Sequence, residues 1–271
     1  EQQSDIEILE ATPGAQLADE DAPQRTVYWQ GKAGGAPYSV TYRYHIHAEL
    51  NDMEKIAATA ENCQPEFYTS EEAPHILFTP WLRALCEEIT KDCDGPVAKA
   101  KAIYDYVTLN TNYRYQPAYA ELEAIADNCA KSGWGDCGVM ALLFITLCRI
   151  AGVPARWQSG LYVTPQSAGA HDWAQFYVAP HGWLWADCSF GSGAHRVGNE
   201  ARRRHYFGNL DPLRMVANRS FYAQLTPPDE CWRNDPYDNQ TGEGTLAGQG
   251  LRGAALIRTC KVLEFKMGAE V

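Results

Sequence analysis

The chain has 271 residues, 45% of them hydrophobic, which is enough apolar side chain to bury a substantial core and excludes a disordered polypeptide. Acidic residues outnumber lysine and arginine 34 to 23, and the resulting net charge of −11 repels phosphate backbones, so no nucleic-acid partner is expected. No stretch reaches the ~18–20 apolar residues of a membrane span, and the opening EQQSDIEILEATPG has neither the basic nor the apolar region of a signal peptide. The expectation is a soluble protein with the cytoplasm favoured, while a start at Glu1 instead of a methionine leaves an upstream segment and export open.

In chain order, TVYW and YSVTYRYHIHAEL read as two strands separated by GKAGGAP, the second alternating Val40, Tyr42, Tyr44 and Ile46 with polar residues. They predict a hairpin within a β-rich extension over residues 1–70. His45 and His47 share one face of that strand, and exposed polar positions are favoured over a metal pair. A helix is expected from Thr79 and Pro80 through WLRALCEEIT. A second follows as VAKAKAIYDYVTLN, with Pro96 in its first turn and Val97, Ala100, Ile103, Tyr104 and Val107 on one stripe. The aromatic, turn-rich TNYRYQPAYAELEAIADNCAKSGWGD then leads to an apolar helix from Cys137 to Ile150, stopped by Ala151, Gly152 and Pro154. ARWQSGLYV, HDWAQFYVAP and GWLWADCSF read as three strands, the last two turning at His181 and Gly182. The run Arg202, Arg203, Arg204, His205 reads as a solvated helix face paired with acids such as Glu200. Beyond Gly198 come turn-rich NLDP, TPPDE and NDPYDNQTGEG, and a final strand around ALIRTCKVLEF. A helix followed by antiparallel strands gives an α+β fold.

The nine cysteines, Cys63, Cys86, Cys93, Cys129, Cys137, Cys148, Cys188, Cys231 and Cys260, are odd in number and contain no CxxC pair, which argues against a disulfide framework and a zinc ribbon. Cys148 falls on an apolar helix, where a thiol packs and stays protonated. Cys137 differs, because it heads that helix between Gly135 and Gly138, where the chain can turn sharply and a substrate carbonyl can approach the backbone. A thiol of ordinary pKa, about 8.5, becomes a good nucleophile at a helix N-terminus beside an imidazolium. His171 opens the second strand and Asp187 lies on the third, an order that suits base and orienter. The Cys137 amide is a natural oxyanion donor.

Residues from about Pro74 to Gly191 resemble the transglutaminase-like superfamily. The resemblance is carried by GDCGVMALLFITLCRIAGVPAR, by the HDW that matches a His-x-Trp pattern, and by the Gly-Trp-x-x-x-Asp in GWLWADCSFG. It implies a papain-like core in which the nucleophile helix packs on an antiparallel sheet, within a catalytic domain over residues 71–271. It also implies Cys137 as nucleophile, His171 as general base and then acid, and Asp187 as orienter. Asp172 stands where the family often has alanine; a turn cap is favoured there over an influence on substrate charge. Tyr113, Tyr115 and Trp134 are candidates for the aromatic that assists the oxyanion. The resemblance favours a hydrolase of a peptide or amide bond in a peptide or protein substrate. Acyl transfer to an amine acceptor, as in a transglutaminase, comes second, and a non-catalytic scaffold third. No cofactor is expected, no calcium loop is present, and the oligomeric state is left open. An acidic cleft would favour cationic substrates or lysine-like acceptors.

Overall fold

The computed structural model of the chain describes residues 2–22, 24, 26–32, 34–116, 119–221, 223–229, 231, 233 and 240–268. Residues 234–239 of the expected turn NDPYDNQTGEG lie outside that set. The N-terminal elements are β1 (Gln3–Ala11), β2 (Gln16–Leu17), β3 (Val27–Tyr28) and β4 (Val40–Ile46). β1 pairs antiparallel with β4, and β2 with β3. The two stretches expected to form a hairpin with each other therefore each pair with a strand nearer the N-terminus. β1 escapes recognition because its ladder is interrupted twice, between Ser4 and Glu7 and between Ile8 and Glu10, with Asp5 at φ 52. Such irregularities destroy the period-two pattern that marks a strand.

Three helices come next. α1 (Met53–Thr59) is capped by Asp52, whose carboxylate accepts from the Lys55 N–H. α2 (Pro80–Thr90) starts with proline in its first turn, and the Thr79 hydroxyl accepts from the Leu82 N–H. α3 (Gly95–Asn110) buries the whole expected stripe of Val97, Ala100, Ile103, Tyr104 and Val107. β5 (Asn112–Tyr113) then runs parallel to β6 (Trp134–Gly135), and the chain between them forms an unexpected helix, α4 (Ile125–Ser132). Its N-cap is Ala124 at φ 43, with no side-chain cap, so the usual start signal is missing.

α5 (Cys137–Ile150) occupies the predicted span, and its residues from Gly138 to Arg149 are all buried. That is why it lacks a polar stripe. It is followed by β7 (Ala155–Val163), β8 (Ala168–Val178) and β9 (Gly182–Ala186). The third expected strand ends at Ala186, because Asp187 caps α6 (Cys188–Arg196) with its carboxylate on the Phe190 N–H at 3.0 Å. α7 (Glu200–His205) carries the basic run, with a correction: Arg203 points inward, its guanidinium on Glu200 at 2.7 Å and Asp105 at 2.5 Å. β10 (Phe207–Gly208), β11 (Arg214–Asn218) and the short pair β12 (Thr245–Leu246) and β13 (Gln249–Gly250) complete the elements. The strand expected around ALIRTCKVLEF does not form; Gly253–Ala255 is a 3₁₀ turn, and residues 256–268 are irregular.

The fold is α+β, and its contacts divide into two compact units. One comprises residues 49–158 and 172–210. There α5 is packed by α2, α3, α4 and α6, and the strand order is β10-β9-β8-β7. Phe144 of α5 meets Tyr104 of α3 edge-on at 6.5 Å and Phe176 of β8 at 5.9 Å, and Phe176 stacks on Phe207 at 5.1 Å. The other unit comprises residues 1–48, 159–171 and 211–271. In it the far end of β7 pairs with β11, and Leu161, Val163 and Met215 form a small core covered by Tyr42, Tyr44, Val262 and Phe265. Val262 and Phe265 supply the apolar signal that reads as a strand; they pack as single side chains on this core. Among the described residues no helix is long and apolar enough to cross a membrane.

Gly160 of β7 passes so close to β11 that a Cβ there would overlap the Met215 carbonyl, whereas a Cβ at Gly169 of β8 would meet nothing within 4 Å. Gly160→Ala is expected to lower unfolding stability by about 2 kcal/mol or more. Gly169→Ala should change it little, and the comparison is read from urea midpoints.

Candidate active site

The site is built at the head of α5. Asp136 is its N-cap in extended conformation, and its carboxylate accepts three hydrogen bonds. Two come from backbone N–H groups, Val139 and Gln116, each at 3.1 Å, and the third from the Tyr119 hydroxyl at 2.6 Å. This arrangement starts the helix at Cys137. The flanking glycines serve close packing: a Cβ at Gly135 would strike Val139, and one at Gly138 would strike the Tyr119 and Trp157 rings.

Cys137 is partly exposed, and its Sγ donates to the Asp172 carboxylate at 3.3 Å. Asp172 is 4% exposed in β8 and also lies 3.5 Å from the Tyr119 hydroxyl. It therefore does not cap a turn, contrary to the expectation from its place beside His171. It faces the sulfur. The phenol carries one proton, and the shorter contact assigns it to Asp136.

Electrostatics oppose the simple picture of a helix-activated thiolate. Burial pushes the Cys137 thiol well above its ordinary range, and the charges of Asp172 and Asp136 push it further, with only the Asp172 backbone N–H acting the other way. A helix N-terminus contributes about 0.3–1 kcal/mol at exposed sites, too little to offset two nearby carboxylates. Burial and both carboxylates thus disfavour the thiolate. Burial also raises the Asp136 carboxyl, against the hydrogen bonds from Tyr119, Val139 and Gln116. The Tyr113 phenol is pushed up to about 12, by burial first and then by Cys137, Asp136 and Asp172.

Of the other expected residues, His171 is 6% exposed on β8, in the compact unit that does not hold Cys137, and its carbonyl lies 3.4 Å from Gln240 Nε2. Asp187 is fully buried, with Oδ1 accepting from the Phe190 N–H and, at 3.3 Å, from the Ser189 hydroxyl. The Ala174–Ala186 pair of β8 and β9 sets it opposite the Asp172–Trp173 end of β8. Among the aromatic candidates, Tyr113 feels the acidic cluster directly, Trp134 heads β6 partly exposed, and Tyr115 is 80% exposed. Tyr119 was not foreseen, because a single tyrosine in a turn-rich stretch carries no motif. On β1 and β4, His45 Nδ1 lies 3.1 Å from the Asp5 carboxylate, and His47, just past the end of β4, has its Nε2 2.8 Å from the Ser4 hydroxyl. Among the described residues no group of three or more His, Cys, Asp or Glu could hold a metal ion.

Because burial raises the Asp136 carboxyl above its ordinary 3.8, the folded protein binds that proton more tightly than the unfolded chain. This contribution to stability is full below pH 3.8 and is lost as pH rises through the folded value. The stability of the wild type relative to Asp136→Asn is therefore expected to fall across that window in urea titrations at a series of pH values. A relative stability that climbs with pH would contradict the assignment.

The model of the transglutaminase-like superfamily matches residues 83–188, a range that holds Cys137, His171 and Asp187. The uncharacterized protein YebA of Bacillus subtilis (strain 168) is 23% identical over 169 residues, covering 54% of this chain; the chain spans only 22% of YebA. Two solved structures are similar at low level. A candidate cysteine protease from Cytophaga hutchinsonii has a TM-score of 0.47 at 16% identity, over 68% of this chain and 66% of its own. The periplasmic domain of TgpA from Pseudomonas aeruginosa, bound to ethylmercury, has a TM-score of 0.45 at 19% identity, over 70% of each chain. The match to the transglutaminase-like superfamily covers 106 of the chain's 271 residues.

Proposed function

We propose that the protein is a cysteine-dependent hydrolase that cleaves a peptide or amide bond through Cys137, His171 and Asp187. The observation that supports this reading most directly is that Cys137, a half-buried residue, stands at the first position of α5, inside a segment that matches the superfamily model and carries the other two residues. In the proposed reaction His171 takes the thiol proton as Cys137 Sγ attacks the carbonyl carbon. The tetrahedral oxyanion is held by the Cys137 N–H, with Tyr113 as the neighbouring aromatic donor. Collapse breaks the C–N bond, the proton passes from His171 to the leaving amine, and a thioester remains. Water, deprotonated by His171, attacks the thioester, releasing the acid and restoring the thiol. Asp187 orients the imidazole and stabilises its charged form.

A second reading has the thioester discharged by a primary amine. The carboxylates of Asp172 and Asp136 beside the sulfur favour it, because they attract an ammonium group to the point where the acceptor must arrive.

Incubating the protein with a peptide library, with and without a primary amine, separates the two readings by mass spectrometry. Cleaved peptides mark hydrolysis, and loss of ammonia with gain of the amine marks transfer. Cys137→Ala is expected to abolish either product, and His171→Ala to lower turnover by about 10³-fold or more. Turnover that survives Cys137→Ala would overturn both readings, and silence from the wild type would point to a scaffold.

A further inference from the structure

A carboxylate in contact with the sulfur of a proposed nucleophile is the least economical feature of this site, since it disfavours the thiolate that the chemistry needs. Asp172 Oδ2 is 3.3 Å from Cys137 Sγ, and both Asp172 and Asp136 are at most 5% exposed. We propose that Asp172 is the specificity-determining residue of the site and selects substrates that carry an ammonium or guanidinium group beside the scissile carbonyl. The proposal rests on the reading of Cys137 as the nucleophile.

Attack brings the carbonyl carbon to about 3–3.5 Å from the sulfur, so the groups flanking that carbon come within roughly 5–6 Å of the Asp172 carboxylate. The groups that bear on the sulfur are Asp136 at the helix cap, Tyr119 in the turn before α4, Tyr113 on β5 and Asp172 on β8. Asp136 is held by a phenol and two backbone N–H groups, all neutral donors. His171, next in the chain to Asp172, is the base of the proposed reaction. A substrate cation seated against Asp172 offsets the repulsion that adds to burial in disfavouring the thiolate, so binding of the correct substrate favours ionisation of the sulfur. An anionic group in the same place would meet like charge in a partly buried setting, where such repulsion is strong.

The test uses two methanethiosulfonate reagents of the same size, 2-aminoethyl (cationic) and 2-sulfonatoethyl (anionic), on the full chain. In each, Cys137 loses its proton to solvent, its sulfur forms a disulfide with the reagent's thioalkyl group, and methanesulfinate leaves. Rates at Cys137 are read by peptide mass spectrometry and normalised to those of free cysteine. The wild type is expected to favour the cation by about 10- to 100-fold, the size expected when either charge stands roughly 5 Å from a carboxylate and water still screens most of the interaction. Asp172→Asn keeps the shape and a hydrogen-bonding amide, and is expected to lose that preference by about tenfold while labelling faster with neutral iodoacetamide. Asp172→Ser serves as a second variant should the first fail to fold. A wild type without charge preference, or a preference that survives both substitutions, overturns the proposal. Equal cleavage of basic and acidic peptides with Cys137 still essential overturns the role of Asp172 and leaves the hydrolase standing. Tenfold probe selectivity with no Cys137-dependent turnover overturns the hydrolase reading and leaves charge selection at the sulfur.

Discussion

The carboxylate of Asp136 holds the head of α5, and the arrangement of the site depends on it. One side chain satisfies a helix N–H, a loop N–H and a phenol, so the helix start, the residues after β5 and the turn carrying Tyr119 are tied to a single point. Cys137 then has no choice of position: it is the first residue of the helix, with glycines on either side because neighbouring rings and branched side chains leave no room for a Cβ. The same anchor places a buried charge next to the sulfur. Burial, Asp172 and Asp136 together oppose the activation that the helix dipole would give the thiol.

This tension bears on how such a site operates. A permanently ionised thiol is reactive toward oxidants and alkylating agents as well as substrate. A thiol whose ionisation is opposed first by burial and then by two carboxylates is less open to such side reactions. The chain's overall acidity, a net −11, acts at longer range by drawing cations toward the protein, an attraction that salt would screen.

The packing around α5 explains why a helix with no polar face sits in a chain with ordinary composition. α2, α3, α4 and α6 pack on it and Phe176 of β8 meets its Phe144, so the positions from Gly138 to Arg149 are buried and most can be apolar without exposing surface. The second unit has a smaller core, three buried aliphatic side chains under a cover of aromatic and irregular chain, and leaves Ile6 and Leu9 of β1 exposed.

Local signals in the sequence were sufficient where one element's pattern is set by its own caps and periodicity. The Thr79–Pro80 start of α2, the buried stripe of α3, the Gly152 stop of α5 and the turn at Gly182 were all legible for that reason. β1 and α4 were not, because the first is broken by ladder irregularities and the second begins at an uncapped left-handed alanine. The Asp187 cap was hidden by apolar residues that continue past the end of β9. By itself the sequence determined the order of Cys137, His171 and Asp187 and the helix that carries the first of them. Only the tertiary structure decided that Asp172, 35 residues after the cysteine, meets its sulfur, and that Tyr119, 18 residues before it, lies between Asp172 and Asp136. That meeting depends on a strand and a turn packing against a helix end, and no spacing along the chain encodes a contact made by three separate elements.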